Sequence, residues 1–291
     1  MKRLSIVLLT MAIAALLVVP AMSQEHSQNQ PLTAAVDMGY VPFAFVNQNG
    51  QEVGFAIDLT AALATRLGRP GYRIVSVPWS GIFAALDAGR VEFIVAPTNI
   101  RPSRAENMAF TEPYMDTGQL IAVNTKYEDT VKTYADLKGL TIGVNTGSVS
   151  DTWLTDNQAQ YGFKIEHYDN LLDALMAVDS GRIDAVIGDY EAVAYAAKDR
   201  PNVTPAITIV GDENYGLPCR KDDLQFRDQL EAALEGLKLD GTLQGIYEKW
   251  FGTEPGDYSS TNLVYVGYGV PGMDFFQETY HAPLMAPPAG Q

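Results

Sequence analysis

The sequence is poor in cysteine and in basic residues. Cys219 is its only cysteine, so the chain cannot form an internal disulfide and its stability must come from a buried core. Lysine and arginine number 20 against 35 aspartates and glutamates, which gives a formal net charge of −15. This balance excludes nucleic acids and anionic membrane surfaces as partners bound through bulk charge. The three histidines are scattered and no His/Cys group has metal-ligand spacing, so we expect no metal and no cofactor.

Long apolar runs are also absent, except at the N-terminus. Lys2 and Arg3 precede an apolar segment at 4–19, and residues 21–23 provide the small side chains of a cleavage site. This segment is shorter than the ~20 residues that a transmembrane helix requires. We therefore predict a secretory signal peptide at 1–23 and a soluble exported chain, whose net charge becomes −17 once the two cations are removed.

Two parts of the chain repeat one pattern. "GYRIVSVPWSGIFAALDAGRVEFIVAP" at 71–97 aligns, with one residue of slack, with "GFKIEHYDNLLDALMAVDSGRIDAVIGD" at 162–189. Each stretch reads as a strand, a helix ended by glycine and a second, apolar strand. The strand patterns at 32–40 and 140–148 match as well. Strands that alternate with helices predict parallel sheets with crossover helices, so the chain is expected to contain two similarly built α/β halves.

Polar and aromatic residues stand where the predicted strands end. In the first half these ends fall at 37–40, 79 and 97–99, and in the second half at 145–148 and 188–189. In open α/β sheets, ligands bind outside the carboxyl ends of the strands. If the two halves face each other, these residues line one cleft, and the sequence predicts a binding site there.

The remaining segments complete the two halves. Residues 55–70 carry leucines on one stripe and predict an amphipathic helix, and residues 223–252 predict two helices separated by a break at a glycine. Two extended stretches, 118–125 and 214–221, flank the second half, and we interpret them as hinge strands. Residues 255–291 show no clear period and predict a tail packed on the surface, which takes no part in the cleft.

Five longer stretches match one known family in its own order. They are "DMGYVPFAFVNQNGQEVGFAIDL", "VPWSGIFAALDAGRVEFIVAPTNIRPSRAENMAFTEPY", "DLKGLTIGVNTGS", "GRIDAVIGD" and "LDGTLQGIYEKWFG". Together they cover roughly residues 31–252. Over this span the chain resembles the bacterial periplasmic solute-binding proteins of amino-acid ABC transporters, family 3.

The resemblance implies an α/β, two-lobed fold of the periplasmic-binding-protein type II. Each lobe would hold a mostly parallel sheet flanked by helices, with the ligand cleft between the lobes. Lobe 1 would comprise 31–117 and 212–254, and lobe 2 would comprise 118–211, followed by an extension of unknown role at 255–291. The resemblance further implies a periplasmic monomer that is not an enzyme. Such a protein would capture an amino acid or an amino-acid-like zwitterion and deliver it to an ABC permease in the inner membrane.

Three residues match the family's strongest ligand contacts. By resemblance, Arg104 pairs with the ligand's α-carboxylate, Asp189 takes the α-ammonium group and Trp79 stacks on the ligand. A guanidinium suits the first role because its planar fork of donors matches a carboxylate. Simpler interpretations also exist: Arg104 could be a surface helix residue near Glu106, Asp189 could cap the following helix, and Trp79 could belong to the core.

Four further residues match the family's cleft positions. Asp37 and Tyr40 correspond to the cleft residues after the first strand, and Asn99 and Ser148 to positions that hydrogen-bond the carboxylate end. The sequence departs from the family at Asn99 and Arg101, where many members have serine or threonine, so the side-chain specificity stays open.

Two other functions fit the same resemblance. One is an enzyme on this scaffold, because some relatives resemble dehydratases, and it would need a general acid or base in the cleft. The other is a ligand sensor whose closed form contacts a membrane receptor instead of a permease.

Overall fold

A computed structural model describes residues 28–286, and the signal peptide predicted at 1–23 lies outside them. No helix in this described part is long and apolar enough to cross a membrane. The strands, in chain order, are β1 (Leu32–Val36), β2 (Phe45–Val46), β3 (Glu52–Val53), β4 (Tyr72–Ser76), β5 (Phe93–Ile94), β6 (Met108–Phe110), β7 (Met115–Asn124), β8 (Thr141–Asn145), β9 (Lys164–Tyr168), β10 (Ala185–Asp189), β11 (Val203–Tyr215) and β12 (Pro218–Arg220). The helices are α1 (Phe55–Arg66), α2 (Trp79–Asp87), α3 (Pro102–Ala105), α4 (Val149–Tyr161), α5 (Leu171–Asp179), α6 (Tyr190–Ala197), α7 (Leu224–Leu239) and α8 (Thr242–Phe251).

The strands form two five-stranded sheets and one small hairpin. The first sheet has the order β4-β1-β5-β12-β6 and the second the order β11-β7-β10-β8-β9, while β2 pairs with β3. The parallel set β4-β1-β5 of the first sheet is repeated by β9-β8-β10 in the second. The predicted fold of two similar α/β halves is therefore confirmed. We call the part built on the first sheet lobe 1 and the part built on the second sheet lobe 2.

Apolar residues on both faces of each sheet explain why helices cover both faces. In β1, Leu32 and Val36 join the cluster that contains α1 and α7, whereas Ala35 joins the cluster that contains α2. In lobe 2, Ile142 packs with α4 on one face, and Val186 packs with α5 on the other. Side chains alternate along a strand, so a strand apolar at successive positions needs a cover on each side.

Glycines end the helices where the sequence predicted. Gly89 follows α2 with φ 68° and Gly181 follows α5 with φ 75°. Gly241, with φ 78°, separates α7 from α8. A left-handed residue at these points stops the helix, and glycine adopts it without a steric penalty.

Two long antiparallel strands carry the chain between the lobes. The chain leaves lobe 1 after β6 and enters lobe 2 in β7, then returns through β11 to β12. The ladder of β7 and β11 begins with the pairs Met115↔Tyr215 and Asp116↔Asn214, just outside the predicted limits of lobe 2 at 118 and 211. Most of the predicted hinge stretch at 118–125 lies inside this ladder.

The tail, which we define as residues 255–286, packs on lobe 1. Lys238 of α7 forms a buried ion pair with Glu112 at 2.6 Å and donates to the carbonyl oxygen of Leu263 in the tail at 2.7 Å. The Tyr265 N–H donates to the Glu112 carboxylate at 2.7 Å, and Thr261 is fully buried. The tail is therefore anchored to lobe 1 by buried polar contacts.

Candidate functional site

The cleft between the lobes contains all seven residues that the sequence singles out. The space between the lining side chains is about 480 Å³, which includes a part that is open to solvent. Lobe 1 lines it with Asp37, Tyr40, Trp79, Asn99 and Arg104, and lobe 2 with Ser148 and Asp189. The strand-end prediction explains this convergence, because each of these residues lies at or just after a strand end or at a helix N-terminus.

Within residues 28–286, the Arg104 guanidinium has no acidic partner. Its Nη1 donates to the Asn99 carbonyl oxygen at 3.0 Å, and its Cζ lies 5.3 Å and 5.4 Å from the ring centroids of Trp79 and Phe83. Among the side chains that the structure describes, no carboxylate lies within ion-pair distance. Burial lowers the pKa of Arg104 to about 10, so the group stays protonated at neutral pH. Its remaining donors are therefore available to an anion in the cleft.

Asp189 faces the cleft and does not cap α6. It occupies the N-cap position, but its side chain makes no capping hydrogen bond. Instead, the Tyr40 hydroxyl donates to Asp189 Oδ2 at 2.6 Å, across the gap between the lobes. Burial raises the pKa of Asp189, while the hydrogen bonds from Tyr40 and Tyr215 and the charge of Arg104 act in the opposite direction. A cationic group in the cleft would stabilise the ionised form.

Asp37 is a second buried carboxyl group in the cleft. It follows β1 directly and is 9 % exposed. Among the described residues, only the Trp79 N–H donates a hydrogen bond to it, with a long N to Oδ2 distance of 3.3 Å. Burial raises the pKa of Asp37 to about 6. The group therefore lacks a counter-charge that a ligand could supply.

Asn99 is bonded to a residue that the sequence did not reveal. Its Nδ2 donates to Glu213 Oε2 at 2.7 Å, and Glu213 also forms an ion pair with Arg101. Glu213 thereby neutralises Arg101, which is close to Arg104 in the chain. No motif marks this position; the contact arises because the end of β11 forms a bridge between Tyr215 and Asn99.

Hydrogen-bonding groups from lobe 2 complete the cleft. Ser148 is the N-cap of α4 and accepts from the Asp151 N–H at 3.1 Å, so its own O–H can donate to a ligand. Asn145 Oδ1 is buried and has no hydrogen-bond partner within residues 28–286. Sequence reasoning placed Asn145 at a strand end but not among the ligand contacts. It missed five other lining residues, Ala96, Val149, Ser150, Leu171 and Ile187.

The lobes are in contact across the cleft. Besides the bond from Tyr40 to Asp189, Trp79 Nε1 donates to the Gly147 carbonyl oxygen at 3.3 Å. Trp79 begins α2 in lobe 1 and Gly147 precedes α4 in lobe 2. The described arrangement is therefore a closed one, with positively and negatively charged groups enclosed between the lobes.

Comparisons with known proteins agree on the family. Residues 32–253 match the family model described as bacterial extracellular solute-binding proteins, family 3. The ABC transporter arginine-binding protein 1 of Escherichia coli (strain K12) is 29% identical over 230 residues, which cover 77% of this chain and 92% of that protein. An ancestral arginine-binding protein bound to arginine has a TM-score of 0.73 at 34% identity, covering 78% of this chain and 100% of that one.

A third similar protein is described in relation to an enzyme. It is an ancestral amino acid-binding protein described as a precursor of cyclohexadienyl dehydratase, with a TM-score of 0.71 at 34% identity over 76% of this chain and 95% of that one. The family match ends at residue 253, so the tail lies beyond it, as the sequence predicted. The chain belongs to the bacterial extracellular solute-binding proteins, family 3.

Proposed function

We propose that the protein captures an amino acid with a cationic side chain in the cleft, closes on it and presents it to an ABC permease. The observation that carries this is the charge arrangement: one unpaired guanidinium, Arg104, shares the cleft with two buried carboxyl groups, Asp37 and Asp189. The protein would do this as a monomer in the periplasm.

The ligand's α-carboxylate would bind Arg104. The guanidinium is already oriented by its bond to Asn99 and by the Trp79 ring, so little conformational entropy is lost when it forms a bidentate pair. The Ser148 hydroxyl, at the positive end of α4, would add a donor for the same anion.

The ligand's α-ammonium group would bind Asp189. In the closed arrangement this carboxylate accepts from the Tyr40 hydroxyl at Oδ2 and is also hydrogen-bonded by Tyr215, and its remaining lone pairs would accept from the ligand. Asn145 Oδ1, buried without a partner in the described part, offers a second acceptor. An ammonium group there would satisfy both, and unsatisfied buried acceptors are destabilising.

The ligand's side chain would carry its positive charge toward Asp37. With Arg101 neutralised by Glu213, the ionised cleft holds two negative charges and one positive charge. A ligand with one carboxylate and two cationic groups balances this set; arginine and lysine are of this class, and histidine joins it when its imidazole is protonated. The names of the relatives, which include arginine-binding and histidine-binding proteins, support the same choice.

We infer capture rather than catalysis. The curated relatives that match along most of their length are named as binding proteins. The similarity to a precursor of a dehydratase keeps catalysis as the alternative, since Asp37 has a pKa of about 6 and could act as an acid. Conversion of a bound compound into a product, followed by mass spectrometry, would favour the enzyme.

Titration calorimetry with a panel of amino acids tests the proposal. The panel comprises L-arginine, L-lysine, L-histidine, L-glutamine and L-glutamate. We expect at least one cationic member to bind most tightly and L-glutamate not to bind, because a second anion would face Asp37 and Asp189. If L-glutamine bound most tightly, the ligand would still be an amino acid, but the proposal of a cationic side chain would be refuted. Failure of all five to bind would refute both.

A further inference from the structure

A serine of the tail is bonded to both strands that cross between the lobes. Ser260 donates from its N–H to Asp116 Oδ2 at 3.1 Å and from its hydroxyl to Asp116 Oδ1 at 2.6 Å. The same hydroxyl lies 3.0 Å from Asn214 Oδ1. Asp116 and Asn214 are register partners at the start of the β7–β11 ladder. Ser260 therefore lies at the point where lobe 2 is attached to lobe 1.

The tail around Ser260 is fixed to lobe 1. On α7, the Glu231 carboxylate accepts from the Gly269 N–H at 2.8 Å and 2.9 Å, and Arg227 Nη2 donates to the Phe275 carbonyl oxygen at 3.1 Å. The side chains of Glu231 and Arg227 are fully buried. Since the tail is held at several points, Ser260 behaves as a part of lobe 1 that bonds the second residue pair of the β7–β11 ladder, next to the start of lobe 2.

We propose that Ser260 is a positioning residue for ligand capture, which holds the crossing strands in the orientation that brings the two lobes together. The inference rests on the proposed function, because closure affects affinity only when both lobes contact the ligand. Ser260 makes its bonds in the arrangement in which Tyr40 also reaches Asp189 across the cleft. It thus stabilises the closed form from outside the cleft.

The geometry gives a reason for this coupling. Rigid-body rotation of lobe 2 about the crossing strands would turn Asp116 and Asn214 relative to a tail that stays with lobe 1. Hydrogen bonds to a carboxylate are strong and depend on direction, so rotation would weaken them. The apparent affinity of a ligand falls in proportion to the fraction of binding-competent protein. A tail contact at this point can therefore change affinity without touching the ligand.

This inference revises the expectation from sequence that the tail takes no part in binding. Within residues 28–286, no tail residue lines the cleft, and that part of the expectation agrees with the structure. The contact with the crossing strands was invisible in the sequence, since Ser260 lies about 46 residues from Asn214 and 144 from Asp116.

The test measures the distance between the lobes without any ligand. Spin labels are attached to cysteines introduced as Gln48→Cys in lobe 1 and Gln160→Cys in lobe 2, both exposed positions, while the native Cys219 is buried. Electron–electron double resonance then compares the full chain with its Ser260→Ala and Asp116→Ala variants. The matched control is Tyr258→Ala, a tail residue that is 90% exposed.

We expect Ser260→Ala to lengthen or broaden the interlobe distance distribution in the ligand-free protein, and Tyr258→Ala to leave it unchanged. Asp116→Ala should give the same shift, and the double variant should add nothing, because both remove one interaction. With L-arginine as the probe, Ser260→Ala should bind on the order of fivefold more weakly.

Three results would overturn the proposal. They are an unchanged distribution in Ser260→Ala, an equal shift in Tyr258→Ala, and additive effects of the Ser260 and Asp116 substitutions. If none of L-arginine, L-lysine and L-histidine binds the unsubstituted protein, the proposed function fails, yet the ligand-free distances still decide the role of Ser260. An unfolded Ser260→Ala variant would be recognised by its melting curve, and Asp116→Ala would then carry the test.

Discussion

Replacing Arg104 by alanine should weaken ligand binding by about 2–5 kcal/mol, the range for truncating one partner of a desolvated charge pair. Each 1.4 kcal/mol is about tenfold in Kd, so the loss corresponds to roughly 30-fold to several thousand-fold. The upper part of the range is favoured by the structure, because no other cation in the described part of the cleft is free to replace Arg104.

Arg104→Lys separates the charge of Arg104 from its shape. Lysine keeps the positive charge but cannot form the bidentate pair, and it cannot reproduce the contact in which the guanidinium Cζ lies 5.3 Å from the Trp79 ring centroid. We expect an affinity between those of the unsubstituted protein and Arg104→Ala. Titration calorimetry with the amino acid that binds most tightly in the panel gives all three values.

Arg101→Ala is the matched control for these variants. Arg101 is close in sequence but is ion-paired with Glu213, so its removal should change affinity only slightly. Melting temperatures without ligand should be similar for Arg104→Ala and the unsubstituted protein, since Arg104 has no acidic partner to lose. Unchanged affinity in Arg104→Ala, together with a large loss in Arg101→Ala, would refute the reasoning and assign the carboxylate to Arg101.

Two further predictions concern the carboxyl groups of the cleft. Asp189→Asn should weaken binding about as much as Arg104→Ala, because it removes the charge opposite the α-ammonium group; calorimetry that finds equal affinities would contradict this. Affinity should also fall as the pH drops through about 6, where Asp37 becomes protonated in the free protein and loses its attraction for a cationic side chain. The pKa of Asp37 in the folded protein lies above its ordinary value. This group therefore stabilises the ligand-free fold at low pH, and the contribution is lost as the pH rises through about 6. Melting curves that show the opposite trend with pH, for the wild type compared with Asp37→Asn, would refute that sign.

Much of the fold could be predicted because its signals are local. The strands β4 and β9, the helices α2 and α5 and the glycines after them repeat in one order, and each depends on residues within a few turns. The cleft residues at the strand ends followed from the same local pattern, since parallel strands bring their carboxyl ends to one edge. Ligand roles for these residues came from resemblance and stay predictions.

What could not be predicted depends on contacts between distant segments. Glu213 reaches Asn99 only because the end of β11 pairs next to it, over a separation of 114 residues. The buried pair of Glu112 and Lys238, which anchors the tail, joins residues that are 126 positions apart. The sequence pattern around neither residue indicates this contact. Charged residues are seldom fully buried, so the sequence alone would place Glu112 and Lys238 on the surface.

The negative charge of the whole chain explains why Glu213 is as important as Arg104 for the charge of the cleft. A protein with a formal net charge of −15 repels the carboxylate of an approaching amino acid, so the cleft must offer a local positive charge. Two free arginines side by side would raise that potential further, but they would also favour ligands with two anionic groups. Glu213 removes the second charge by pairing with Arg101, and the remaining set of Arg104, Asp37 and Asp189 has an excess of one negative charge. Under the proposed function, the carboxylate that keeps Asn99 in place would thus select against acidic ligands, and specificity for a cationic side chain would follow from the balance of charges rather than from any single contact.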